Sequence, residues 1–244
     1  RLPLPFIMSV GADMKDTKHH CVSIQGPGVI LPDASYYKPE RAQQKVALIG
    51  LWSNMAKMVL AKTDLTEEEQ NKYLEDTLAF DEVLGGLVKS REEWSEYVKA
   101  YNPRKTARFA SSVKPVELKK LLKSLFGFVP ETIIVEEPRY FKSFTEVFNE
   151  NTFEQYKHWA YVTELLSCCT YLSEELREMG GMFYRAISGI PAMTAVEKFA
   201  YQLASGMYSE PVGLYYGEKY FDEEAKKDIT EIVHQIVDTY KSRI

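Results

Sequence analysis

The chain has 244 residues, 45% of them hydrophobic and 27% charged, with a formal net charge of -5. That length can bury a sizeable core without covalent staples, and an acidic balance with no basic face argues against a nucleic-acid footprint. Three cysteines, two adjacent at Cys168 and Cys169, make no disulfide framework and point to a reducing compartment.

Two apolar runs over 5–13 and 19–25, separated by the turn-prone 14–18, predict a β-hairpin. Gly26, Pro27 and Gly28 break its second strand, and Pro39 opens a helix over 41–62. Val46, Ile49, Trp52, Met55, Met58 and Val59 surround that helix with apolar positions, so it is expected to be packed from several directions. Its apolar stretch 46–61 is interrupted by Asn54 and Lys57 and falls short of the roughly 18 residues of a membrane span.

Thr66 and Glu69 form a capping box for a helix to about residue 84, which Gly85 and Gly86 should weaken or end. A short helix around Trp94 and Val98 follows, and 100–115, between Pro103 and Pro115, reads as a connecting loop. Next come a helix over 116–125 with Leu118, Leu121, Leu122 and Leu125 inward, an extended segment at 132–136, and a helix from Pro138 aligning Phe141, Phe144 and Phe148.

The stretch 151–189 reads as two long core helices. The first carries Phe153, Tyr156, Trp159, Ala160, Val162 and Leu166, with a capping box at Thr152 and Gln155. The second starts at Ser173, carries Leu172, Leu176, Met179, Phe183 and Ile187, and stops at Gly189 and Pro191. Beyond it, Thr194 and Glu197 box a helix with Val196, Phe199, Ala200, Leu203, Ala204 and Met207 on one side, the cleanest amphipathic pattern in the chain. The segment 211–220 reads as helical, and Asp222 caps a last helix with Ala225, Ile229, Ile232, Val233, Ile236, Val237 and Tyr240 expected inward. The fold class is mainly α: one multi-helix domain over 1–244, with a hairpin at about 5–25 and helices over about 39–244.

Residues able to do chemistry are few. Asp81 and Glu82 are the one carboxylate pair worth weighing, but adjacent helix positions do not face each other; Glu82 should be solvated and Asp81 should meet a partner from a neighbouring helix. His19 and His20 point to opposite faces of a strand, and His158 and His234 lie far apart in separate helices, so none has the one-turn spacing of HExxH. Cys168 and Cys169 read as packing thiols. Gly26-Pro27-Gly28 is too short for a dinucleotide loop. Tyr36-Tyr37 and Tyr215-Tyr216 could line a peptide-binding wall, although such aromatics more often pack with the hydroxyl wet. No catalytic or metal residue is assigned, and substrate-binding residues stay unknown.

Several phrases together resemble the N-terminal helical region of the neprilysin and endopeptidase O family of zinc metallopeptidases. They are VGADMKD and SIQGPGVILPDASYY in the hairpin region, AYNP at 100–103, IIVEEPRYF at 133–141, the stretch from Thr152 through YLSEELREMGGMFYRAISG, and LYYGEKYFDEEAKKDITEIV at 214–233. Their order and spacing fit across nearly the whole chain, with Val29 and Ile30 standing where the family has leucine. The resemblance implies the covering lobe of a two-lobed gluzincin peptidase, which with the catalytic lobe encloses a chamber that admits oligopeptides. It also implies that Zn2+, the HExxH helix and the ENxxD-type glutamate belong to a second lobe of the same polypeptide; Glu150-Asn151 starts the right letters but lacks the aspartate.

The chain is therefore expected to be a piece of a longer, bacterial, cytoplasmic enzyme, inactive alone, with no nucleic-acid or membrane partner. It should expose a large apolar patch. The competing expectation is a stand-alone helical module that binds protein or peptide without proteolysis.

Overall fold

The computed structural model describes residues 5–243. They gather into two compact units that meet in sequence between Pro191 and Ala192.

The first unit opens with the hairpin β1 (Ile7–Ala12) and β2 (His20–Gln25), paired antiparallel from Ile7↔Gln25 to Ala12↔His20. A 3-10 turn at Pro39–Arg41 then leads into α1 (Ala42–Leu60), followed by α2 (Glu67–Leu87) and α3 (Arg91–Ser95). The Thr66 and Glu69 capping box forms with both reciprocal bonds. The expected loop over 100–115 contains two elements instead, β3 (Pro103–Lys105) and α4 (Thr106–Phe109). A three-residue strand carries no readable period, and β3 exists because it pairs with β4 (Thr132–Val135) across 26 to 30 residues of sequence. Between them lies α5 (Leu118–Phe126), which buries Leu118 and Leu122 but leaves Leu125 exposed rather than inward. The sheet order is β1-β2-β4-β3, and the central pair, β2 with β4, is parallel.

The phenylalanine helix is two short pieces, α6 (Pro138–Lys142) and α7 (Phe144–Val147), which still bury Phe141, Phe144 and Phe148 together. Next is α8 (Phe153–Cys168), packed along α2. Its expected capping box does not form: Thr152 takes helical dihedrals and its hydroxyl donates to the Val147 carbonyl at 2.7 Å. The second long helix is also divided, at Gly180 and Gly181, into α9 (Glu174–Gly180) and α10 (Met182–Ser188). Gly189, at φ +64°, then ends α10 in the left-handed region that favours glycine.

One core joins the sheet to α2, α5, α6, α7 and α8 through Ile24, Ile133, Val135, Phe80, Leu84, Leu122, Tyr140, Phe144 and Trp159. A second, smaller core holds Trp52, Met55, Ala56 and Leu60 of α1 against Leu74 and Val162. Only the C-terminal half of α1 is packed in this way. Val46 is 70% exposed and Leu51 and Met58 are also exposed, against the expectation of burial from several directions.

The second unit consists of α11 (Val196–Met207), α12 (Ser209–Tyr220) and α13 (Glu223–Arg243). Asp222 caps α13 as read, accepting from Ala225 N–H at 2.9 Å. None of the three helices has a buried residue: Ile229, Ile232, Val233, Ile236, Val237 and Tyr240 of α13, expected inward, are exposed, while Phe199 and Leu203 of α11 are half-buried.

Candidate functional site

The most organised polar group in the first unit is centred on Asp81. As α2 winds past the hairpin-to-α1 connection, Asp81 falls on its inward side, and three donors from distant parts of the chain converge on the carboxylate. Ile30 N–H reaches Oδ1 at 3.0 Å, the Trp159 indole N–H reaches the same oxygen at 3.3 Å, and the Tyr37 hydroxyl donates to Oδ2. Burial pushes the Asp81 carboxyl up to about 6, which the donors offset only in part. Burial, followed by the charge of Asp81, also raises Tyr37 far above the ordinary phenol range. The Tyr37 hydroxyl, expected to be wet, is instead bonded to the buried Asp81 carboxyl. Glu82 points elsewhere and meets Lys45 at the surface at 2.7 Å. The two carboxylates share no space, and Asp81 is a clasp that ties 30–37 to α2 and α8.

Gly85 belongs to the same clasp. A Cβ there would lie 2.1 Å from Cγ of Tyr37, so only glycine lets α2 pass under the ring, and the helix continues to Leu87 instead of ending. Beside it, a cleft of about 340 Å3 opens between Val29, Ile30, Trp52, Met55, Trp159 and Leu166.

A second buried carboxylate escaped the sequence reading. Glu137 accepts Gly26 N–H at 2.6 Å and Lys89 N–H at 2.5 Å, stitching the end of β2 to the end of α2. This is what Gly26-Pro27-Gly28 does here, since a Cβ on Gly26 would crowd Glu137 and Val88 at 3.0 Å. Glu137 stands directly before Pro138 at a predicted helix start, where a solvated acid is the ordinary reading.

The histidines are dispersed. His158 Nδ1 lies 2.6 Å from Asp76 Oδ2, and its ring stacks on Tyr73 at 3.8 Å. His19 pairs with Asp16 at the surface, and His20 and His234 are exposed. Cys169 is buried, its thiol held high by desolvation and directed at the Leu165 carbonyl at 3.3 Å, while Cys168 is half-buried. Among the described residues no three histidine, cysteine or acidic side chains are grouped so as to hold a metal. The donor set present does not fit a zinc ion.

The second unit offers a surface. Along α13, Ile229, Ile232, Val233, Ile236 and Val237 are 41–53% exposed, and Leu214, Tyr215, Tyr216 and Tyr220 of α12 are exposed as well. A groove of about 1000 Å3 runs along this unit past Leu214, Gly217, Phe221 and Lys226. Tyr171, Leu172 and Tyr184 of the first unit are exposed too.

These features are a mainly helical chain with interior polar clasps in its first unit and exposed apolar side chains in its second. The chain belongs to peptidase family M13, whose N-terminal model matches residues 1–244. It is 36% identical over 241 residues to the neutral endopeptidase of Lactobacillus helveticus, covering 99% of this chain and 37% of that protein. The crystal structure of PepO from Lactobacillus rhamnosis HN001 superposes with a TM-score of 0.89 at 29% identity, over 98% of this chain and 38% of that one. The Mycobacterium tuberculosis zinc metalloprotease Zmp1, solved with an inhibitor, gives a TM-score of 0.83 over 98% of this chain and 36% of that one, and at 21% identity speaks to the fold. The chain thus spans little more than a third of the length of these relatives. Among the described residues no helix is long and apolar enough to cross a membrane.

Proposed function

We propose that these 244 residues form one lobe, the non-catalytic helical lobe, of a bacterial, cytoplasmic zinc endopeptidase. In this reading the zinc and the groups that activate water come from the rest of the polypeptide. The helical lobe covers the catalytic lobe, walls the chamber and restricts entry to oligopeptides. The observation that carries the reading is that the apolar row on α13 lies exposed in a chain that accounts for 37% of the length of a neutral endopeptidase. Burying a half-exposed isoleucine or valine completely contributes roughly 1 kcal/mol, so a row of five on α13 is a strong reason for association with a partner lobe.

The test is reconstitution. The 244-residue polypeptide alone is expected to show no stoichiometric zinc and no hydrolysis of a quenched-fluorescent decapeptide. Joined to the remainder of its coding sequence it is expected to cut the decapeptide and spare a folded protein. Tightly held zinc or peptide cleavage in the isolated chain would overturn the assignment. A stop codon directly after Ile244 would favour the stand-alone binding module instead.

A further inference from the structure

The outer strand of the sheet, β1, turns half of its backbone away from the molecule. Asp13 N–H donates to the His19 carbonyl at 2.8 Å, one step beyond the ladder that pairs Ala12 with His20 and Gly11 with Cys21. Bonded and non-bonded pairs alternate along an antiparallel ladder. Gly11, Ser9 and Ile7 therefore point their N–H and C=O groups at β2, and Ala12, Val10 and Met8 point theirs outward. No described residue hydrogen-bonds to those outward groups. The devices that normally blunt an edge are missing as well: IMSVGA has no proline and no charge, its register to β2 has no bulge, and Val10 is 55% exposed. The nearest charge along the chain, Asp13, is already engaged by the Tyr101 hydroxyl at 2.9 Å and by Lys15 N–H at 2.8 Å.

We propose that the β1 edge takes up an extended oligopeptide as an additional strand, a proposal that rests on the reading of the parent protein as an oligopeptide hydrolase. Outward N–H and C=O pairs at every second residue, roughly 7 Å apart, match an extended backbone and not a helix or a lipid. Such an edge reads main chain rather than side chains, which suits peptides of varied sequence. Three outward residues accommodate about six residues of ligand. Pairing of two β1 strands from two copies would bury a few hundred Å2, well under the ~1,000 Å2 of a stable interface, so a transient peptide fits better than a dimer.

The experiment follows backbone amides by NMR while the 244-residue protein is titrated with an end-blocked hexapeptide of alternating threonine and valine. Amides of Met8, Val10 and Ala12 are expected to shift and slow in hydrogen exchange, while those of Ile7, Ser9 and Gly11, already in the ladder, change little. Val10→Pro removes an outward N–H without touching the bonds to β2 and should weaken binding about tenfold; Val10→Thr keeps the N–H and should retain it. The hexapeptide N-methylated at alternate residues should not bind, which tests the edge with the protein unaltered.

No shift at millimolar peptide, shifts confined to other elements, outward amides protected before peptide is added, or a concentration-dependent doubling of mass would each overturn the proposal. Hydrolysis by the joined protein is measured separately. Activity without binding at β1 removes only the strand proposal, and binding at β1 without activity removes only the peptidase reading.

Discussion

Both units of this chain carry helices with an apolar side, and they use it in opposite ways. In α2 and α8 the apolar side is closed: Phe80, Leu84, Trp159 and Ala160 are each at most 4% exposed. In α13 the corresponding stripe stands open at 41–53%. The difference teaches that a helical stripe states a need for a partner and does not say where the partner is. For the first unit the partner lies in the same 191 residues; for the second, on the proposed reading, it lies in another lobe.

The sharpest way to break that contrast is to make the same kind of truncation in both units. Phe144→Ala, in a ring cluster with Phe6, Tyr140, Phe141 and Phe148, should cost about 3–5 kcal/mol in urea unfolding of the isolated chain. Ile236→Ala, on the open stripe, should cost about 0.5 kcal/mol or less there. It should weaken association with the catalytic lobe instead. Equal losses at the two positions would mean that the second unit has a core after all.

Asp81 gives the next largest effect. Asp81→Ala strands the Tyr37 hydroxyl, the Ile30 N–H and the Trp159 indole, and should cost about 2–4 kcal/mol, more than Asp81→Asn, which still accepts from two of them. The pH dependence has a definite sign. The folded-state value of about 6 lies above the ordinary 3.8, so the folded protein holds this proton more tightly. The contribution of Asp81 is fully favourable below about pH 4 and is lost as the pH rises through about 6. The slope is at most about 1.4 kcal/mol per pH unit. Urea melts from pH 4 to 7 should show this slope in the parent protein and lack it in Asp81→Asn.

The smallest effects separate two neighbouring glycines. Gly85→Ala drives a methyl into the Tyr37 ring and should cost about 1–3 kcal/mol. Gly86→Ala meets nothing within 4 Å and should stabilise α2 by up to about 1 kcal/mol. Thermal melts of the two variants moving in opposite directions would confirm that α2 is shaped by a ring from 48 residues away, not by its own composition.

Much was legible in local pattern. The hairpin, the start of α2 at its capping box, the strand at Thr132–Val135, the helix stop at Gly189 and the Asp222 cap all follow from groups within a few residues of one another. The inward turn of Asp81 and the outward turn of Glu82 followed from helical angle alone. The phrases from VGADMKD to LYYGEKYF were enough to place the chain in its family, because order and spacing over 244 residues are far more specific than any one motif.

What the fold alone decided depends on groups far apart in sequence. Gly85 and Gly86 read as weakening or ending the helix until the Tyr37 ring is seen beneath Gly85, and nothing local singles out Glu137, which is held by two backbone N–H groups from distant parts of the chain. β3 exists only because β4 lies beside it, and the Thr152 box fails because Thr152 takes helical dihedrals and its hydroxyl oxygen accepts from Asn149 N–H at 3.1 Å instead. Burial is the plainest case. Periodicity fixes which side of a helix is apolar through bond angles and a 3.6-residue turn, but whether that side is covered depends on surface brought from elsewhere, and no window of sequence contains it.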